Sequence, residues 1–298
     1  MTDPRAPQHI DTPQRIDALL HWAKQQLQTR THPQQSHAES RLEAELLLGT
    51  AAQLSRTEII AWPERRLNLA KQSRFEQMIQ RRCAGEPIAY ILGEREFRGL
   101  PLRVSPATLI PRPETELLID WALAQHPPDA VIRCADLGTG SGAIAIAIAL
   151  ERPHWPLLAL DRSAAALAIA AANRQQLGAE SVVLMQSDWL DPIAAQSLDL
   201  ILANPPYVAA GDPHLRQGDL RFEPAAALAA GADGLSAIRH IAAALPRHLA
   251  PGGQTAIEHG WDQGAAVRTL LATAGLTAIA THRDLSGHER FTSARHPA

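Results

Sequence analysis

Residues Val131-Ile132-Arg133-Cys134-Ala135-Asp136-Leu137-Gly138-Thr139-Gly140-Ser141-Gly142-Ala143-Ile144-Ala145-Ile146 decide the fold, because they run from a β-type apolar segment through a glycine turn into an Ala/Ile helix. Residues 131–136 read as a strand and 142–151 as a helix. Glycine at 138, 140 and 142 permits a tight turn and close approach of backbone to a ligand. Working outward, strands are expected at 157–161, 182–185, 198–203 and 254–258, with strand-like tails at 277–281 and 290–293. Helices are expected around Leu117, Leu118 and Trp121, and at 163–177, 236–249 and 265–274. This alternation predicts an α/β domain over 113–298 with a mostly parallel sheet covered on both faces. Ligands of such sheets bind beyond the carboxyl ends of the strands.

The glycine turn alone leaves two kinds of ligand open. Gly138, Gly140 and Ala143 satisfy the dinucleotide pattern G-x-G-x-x-G/A, and Asp161 lies near the distance expected of a ribose-binding acid. A nicotinamide cofactor is therefore one reading. Asp161 ends the second strand, where its carboxylate can accept from both ribose hydroxyls of any nucleoside cofactor. Asp188-Trp189 follows the third strand at the same edge, so the indole can cover an adenine face while the acid or backbone addresses its amino edge.

Residues 1–84 read as helical throughout and 85–112 as a connector or hairpin. Thr12-Pro13 is expected to open the first helix, with Ile16, Leu19, Leu20, Ala23 and Leu27 on one face. Ser36 with Glu39, and Ser55 with Glu58, match capping boxes for two more, and Phe75, Met78 and Ile79 give a later helix its apolar face. Lys71, Arg74, Arg81 and Arg82 on that last helix read as a solvated stripe. In the connector, the β-type residues 88–93 and the glycines at 93 and 99 suggest extended structure.

Composition narrows the function classes. With 298 residues the chain is long enough for two domains, and 46% hydrophobic against 20% charged residues excludes extended disorder. A net charge of -3 provides no global attraction to a phosphate backbone, so no direct nucleic-acid binding is expected. Two cysteines, Cys83 and Cys134, make neither a disulfide framework nor a metal site, and the 13 histidines show no metal-ligand spacing; no metal is expected. Met1-Thr2-Asp3-Pro4-Arg5 lacks the apolar core of a signal peptide, and the apolar run 143–150 is far short of the roughly 20 residues of a membrane span. A cytoplasmic protein is expected. Pro251-Gly252-Gly253-Gln254 reads as a glycine turn, and Ser105, Ser141 and Ser163 form no nucleophile elbow.

The reacting group is read from Asn204-Pro205-Pro206-Tyr207, directly after the strand 198–203. Two prolines fix the backbone as it leaves the sheet, remove its donors and leave carbonyls free. The Asn204 oxygen and the Pro205 carbonyl can each take one hydrogen of a planar NH2 group, while the Tyr207 ring stacks on its plane. Such a cradle raises electron density on an amide or adenine-type nitrogen and aims it at an activated methyl group.

These motifs together resemble the protein-(glutamine-N5) methyltransferases that modify peptide chain release factors. The resemblance is carried by Glu86-Pro87-Ile88-Ala89-Tyr90-Ile91-Leu92-Gly93, by Arg95-Glu96-Phe97, and by the run from Val104 through Ile110-Pro111-Arg112-Pro113-Glu114-Thr115-Glu116. It continues in the glycine loop, Ser187-Asp188-Trp189, Asn204-Pro205-Pro206-Tyr207 and Gly218-Asp219-Leu220-Arg221-Phe222-Glu223-Pro224. It implies a class I S-adenosylmethionine-dependent methyltransferase fold, Rossmann-like, with a small N-terminal helical bundle that recognises substrate. S-adenosylmethionine would be the methyl donor and the glutamine of the Gly-Gly-Gln loop of class 1 peptide chain release factors the substrate. Gly138, Thr139, Gly140, Ser141, Gly142, Asp161 and Trp189 would hold the donor, with Asp188 added on geometry, and Asn204, Pro205, Pro206 and Tyr207 the glutamine, Asn204 also meeting the donor. Ser141 stands where many relatives have threonine and keeps the hydroxyl. An adenine-N6 methyltransferase acting on DNA or RNA, and a non-catalytic nucleotide-binding module docking the translation machinery, are the alternatives.

Overall fold

Both capping boxes close as the sequence requires: Ser36 and Ser55 accept from the backbone N–H of Glu39 and Glu58, whose carboxylates reach back to the Ser36 and Ser55 N–H groups. The structure is a computed structural model that describes residues 12–30 and 36–298; Met1 to Arg5 lie outside the described residues. The chain divides into two compact units, one up to Leu92 and the other from Gly93 onward.

The first unit contains α1 (Ile16–Arg30), α2 (His37–Ala52), α3 (Arg56–Ala61), α4 (Leu69–Cys83) and α5 (Ile88–Leu92). Ile16, Leu27, Leu47, Leu48, Phe75 and Ile79 form its core. Three expectations are corrected. The first helix begins at Ile16 rather than beside Thr12, because the Gln14 carbonyl accepts from Leu67 N and Ile16 N donates to the Arg65 carbonyl, pairing this stretch with residues 65–67. The basic stripe of α4 is solvated only in part: Arg74 and Arg81 are exposed, whereas Arg82 is buried against Glu43 at 3.0 Å and Lys71 Nζ donates to the Ala52 carbonyl. Residues 88–92 form a helical turn, with Tyr90 N and Ile91 N donating to the Pro87 carbonyl, so their β-branched character serves packing rather than a strand.

The second unit opens with a hairpin of β1 (Glu94–Phe97) and β2 (Leu100–Arg103), whose two-residue turn Arg98-Gly99 has positive φ at both positions. Then follow α6 (Glu116–Ala124), β3 (Cys134–Leu137), α7 (Ala143–Glu151), β4 (Leu157–Asp161), α8 (Ala164–Leu177), β5 (Val182–Gln186), β6 (Leu198–Ala203), α9 (Ala225–Leu228), α10 (Ser236–His248), β7 (Leu249–Glu258), α11 (Gly264–Thr273), β8 (Thr277–Arg283) and β9 (Glu289–Arg295). The seven-stranded sheet has the order β5-β4-β3-β6-β7-β9-β8, parallel except where β9 pairs with β7 and β8. The strand expected at 131–136 starts at Cys134: the Arg133 backbone N–H donates to the side-chain carboxylate of Asp199 on β6 rather than to a backbone carbonyl. Residues 251–254, read as a turn, are a kink inside β7, with Gly252 at φ 75°.

Side chains alternate across this sheet. Cys134, Leu200, Leu202 and Ala256 face the core beneath α6 and α7, whereas Ala135, Leu137, Ile201, Ala203 and Ile257 face the core beneath α10 and α11. Burial on both faces explains why the central strands read as continuous apolar runs. Strand order reverses between β3 and β6, so a crevice opens at their carboxyl ends.

Candidate active site

The turn after β3 is held from three sides. Gly138 N and Thr139 N both donate to the Leu160 carbonyl, at 2.8 and 2.9 Å. Buried Asn173 on α8 donates to the Ser141 carbonyl at 2.8 Å and pairs with the Arg103 backbone. Asp136 Oδ2 accepts from the Thr139 hydroxyl at 2.6 Å. Gly138, Gly140 and Gly142 have φ of 72°, 56° and 85°, which side chains other than glycine adopt only at a cost. At Gly142, the N-cap of α7, a Cβ would also lie 2.8 Å from Ile146 Cδ1. Asp136 is buried, and its Oδ1 has no partner among the described residues. Burial, opposed by the Thr139 hydrogen bond, raises its pKa to about 7.

Asp161 sits opposite this turn. Its Oδ2 accepts from Gly140 N at 3.0 Å and its Oδ1 from Ser163 N at 2.8 Å, so one carboxylate fixes both the glycine turn and the start of α8. Trp189 is held at φ 51°, with its carbonyl accepting from the Ser187 hydroxyl, and its indole edge lies 3.5 Å from where a Gly138 Cβ would stand. Gly138, Thr139, Gly140, Ser141, Asp161, Asp188, Trp189, Asn204 and Pro206 line one cavity of about 410 Å³, within the size range of small-molecule sites. Gly142, Pro205 and Tyr207 do not line it. The cavity is roofed by residues 107–109 and 111 and by Pro224, Ala226 and Ala227, and the two roof segments are clamped by Glu223, which accepts from Ile110 N and ion-pairs with Arg112. An acceptor carboxylate, a flat indole and glycine backbone along one wall fit a nucleoside group.

At the other end, Asn204 leaves β6 into the cavity wall. Its Nδ2 donates to the Thr115 hydroxyl at 3.1 Å, and that hydroxyl donates to Glu258 Oε2 at 2.8 Å. Tyr207 OH donates to Glu258 Oε1 at 3.4 Å, while its carbonyl accepts from Gln263 Nε2 at 3.0 Å and a Cβ on Gly234 would overlap it. The Tyr207 loop is thus fixed at ring and backbone. Burial, and then the Glu258 charge, push the Tyr207 phenol well above its usual pKa; burial raises Glu258 to about 7. The sequence alone gives Thr115 no role of its own and makes Glu258, beside His259 after a strand, only a weak site candidate. The signal for Glu258 was its place at the carboxyl end of a strand; Thr115 carried none beyond lying in the 104–116 run. Among the described residues there is no cluster of side chains that could hold a metal ion.

The reversal of strand order, the glycine turn and the adjoining Asn-Pro-Pro-Tyr define a methyltransferase, and residues 115–228 match the family described as methyltransferase small domain, while residues 18–93 match the PrmC N-terminal domain. A methyltransferase from Pyrococcus furiosus shares the fold at a TM-score of 0.51 and 15% identity, covering 68% of this chain and 91% of that one. The chain is 51% identical over 257 residues to the release factor glutamine methyltransferase of Xylella fastidiosa (86% of this chain, 94% of the relative), and 43% identical over 279 residues to that of Escherichia coli K12 (93% and 98%). It belongs to the release factor glutamine methyltransferase family.

Proposed function

We propose that the protein transfers a methyl group from S-adenosylmethionine to the side-chain amide nitrogen, N5, of the glutamine in the Gly-Gly-Gln loop of class 1 peptide chain release factors. The observation that carries this reading is the presence of Asn204 in the wall of the same cavity as the glycine turn, Asp161 and Trp189, in a chain of this family. Asp161 takes the ribose hydroxyls, Trp189 covers the adenine face, and Gly138 to Ser141 line the remainder, with Asp188 at the adenine edge. Bound there, S-adenosylmethionine supplies a methyl group activated by its sulfonium.

Asn204 Oδ1 and the Pro205 carbonyl each accept one amide hydrogen of the glutamine, which draws electron density onto a nitrogen whose lone pair is otherwise delocalised. The Pro205-Pro206 backbone holds that geometry, and the Tyr207 ring stacks on the amide plane. The helical unit up to Leu92 recognises the protein substrate. No helix among the described residues is long and apolar enough to cross a membrane; the work we assign to the protein, on a translation factor, belongs to the cytoplasm, and its net charge of -3 offers no global attraction to nucleic acid. Mass spectrometry of a purified class 1 release factor incubated with this protein and S-adenosylmethionine tests the reading. One methyl group on the loop glutamine is expected; methylation of adenine in an RNA or DNA arm instead would overturn it.

A further inference from the structure

Register places three groups together that lie far apart in sequence. In β6 and β7 the partners Leu202↔Ala256 and Ala203↔Ile257 lead, one residue on, to Asn204 beside Glu258. Both lie on the face that α6 covers, and Thr115 ends the turn immediately before that helix. The hydroxyl of Thr115 has one hydrogen and two polar neighbours, Asn204 Nδ2 at 3.1 Å and Glu258 Oε2 at 2.8 Å. An ionised carboxylate only accepts, so the hydrogen goes to Glu258 and the Thr115 oxygen is left to accept.

Resting on the proposed function, we propose that Thr115 and Glu258 are positioning residues: the Glu258 carboxylate polarises the Thr115 hydroxyl, which holds Asn204 by its NH2 and so presents Asn204 Oδ1, an acceptor, to the substrate amide. The opposite rotamer of the Asn204 amide would present hydrogens to the hydrogens of glutamine and repel it. Glu258 has the further task of accepting from the Tyr207 hydroxyl, so one buried acid orients both side chains of the cradle.

The charged surroundings of Glu258 are Glu114, which disfavours its ionisation, and Arg290, which favours it; Arg290 lies 3.7 Å from Glu114, and Arg112 and Arg290 both face Tyr207. Burial outweighs these and brings the acid to about 7. Protonated Glu258 can donate to the Thr115 oxygen, which frees the Thr115 hydrogen for Asn204 Oδ1 and lets the amide turn over. Correct presentation is therefore coupled to ionisation of Glu258, and turnover should fall as pH drops through that value.

The test uses the full chain, with a release factor as substrate and S-adenosylmethionine as donor. Thr115→Val keeps volume and removes both hydrogen bonds; kcat should fall about tenfold or more, as for loss of an orienting polar contact. The substrate KM should change less than kcat, and the donor Kd should stay within about twofold. Thr115→Ser should restore kcat to within about threefold of the parent. In Glu258→Gln, whose side chain does not titrate, the decline of kcat on acidification through about 7 should vanish. A Thr115→Val protein with parental kcat, a serine variant that stays impaired though folded, or an unchanged pH profile in Glu258→Gln would each overturn the proposal. The Asn204 side-chain NH2 resonances provide a readout independent of activity: protected from solvent exchange in the parent and unprotected in Thr115→Val. If the parent leaves the glutamine unmodified, the proposed function fails, and the exchange data alone decide the positioning: equal exchange in both proteins overturns it.

Discussion

Replacing Asp161 by Asn changes one oxygen to an NH2 group and leaves size almost untouched. In the parent, the two carboxylate oxygens each accept a backbone N–H, from Gly140 at 3.0 Å and Ser163 at 2.8 Å. Asparagine can satisfy only one of them; whichever way it turns, its NH2 meets the other N–H donor head-on. The same substitution removes one of the acceptors assigned to the ribose hydroxyls. A hydrogen bond to a charged group contributes about 1.5–3 kcal/mol, so losing one such bond to the donor should raise its Kd about 10- to 150-fold. The Gly140 N–H belongs to the turn that lines the cavity and the Ser163 N–H to the start of α8, so the cost falls on donor binding when the first is displaced and on folding when the second is. Titration calorimetry with S-adenosylmethionine measures the first effect and thermal unfolding the second. An Asp161→Asn protein with Kd within about twofold of the parent and an unchanged Tm would refute both the ribose role and the structural argument.

Three more outcomes follow from the site. Asn204→Ala should lower kcat about 10²–10³-fold, the loss of roughly 3–4 kcal/mol expected for a preorganised contact at developing charge, with a smaller change in substrate KM; a folded variant within about threefold of parental turnover would shift the cradle to Pro205 and Tyr207. Gly142→Ala should destabilise by about 1–3 kcal/mol, since φ is 85° and the new Cβ meets Ile146 at 2.8 Å; a Tm equal to the parent's would contradict the strain. Asp136 has a folded pKa of about 7 against 3.8, so the native state binds the proton more tightly than the unfolded state. Its contribution to stability is present at low pH and is lost as pH rises toward 7, by about 4 kcal/mol in all at about 1.4 kcal/mol per unit. Without donor present, Asp136→Asn should therefore gain stability relative to the parent as pH rises from about 4 to about 7; a stability difference constant across that range would show that Asp136 does not titrate there.

Much of this site was legible because its parts are local in sequence. The glycine turn announces itself by residue type, as Gly138, Gly140 and Gly142 all take positive φ. Strands β4 and β6 fall where their buried apolar runs end in Asp161 and Ala203, which delivers the acid and Asn204 to one edge. The helix starts at Ser36 and Ser55 were equally readable, since a capping box is complete within four residues. What escaped depended on distant partners. Thr115 meets Glu258 across 143 residues, and no pattern in either segment points to the other until the sheet register is fixed. Arg82 looked like one of a solvated row, but Glu43 on another helix buries it. Thr12-Pro13 had the chemistry of a helix start; the pairing of residues 14–16 with 65–67 took their backbone groups first.

The most direct measurement is the mass of the Gly-Gly-Gln peptide from a class 1 release factor after incubation with this protein and S-adenosylmethionine, with fragmentation to locate the change. One added methyl group on the glutamine side chain, formed about 10²–10³-fold more slowly when Asn204→Ala replaces the parent, is the predicted result. An unmodified glutamine under conditions where calorimetry registers donor bound to the same preparation would contradict the account.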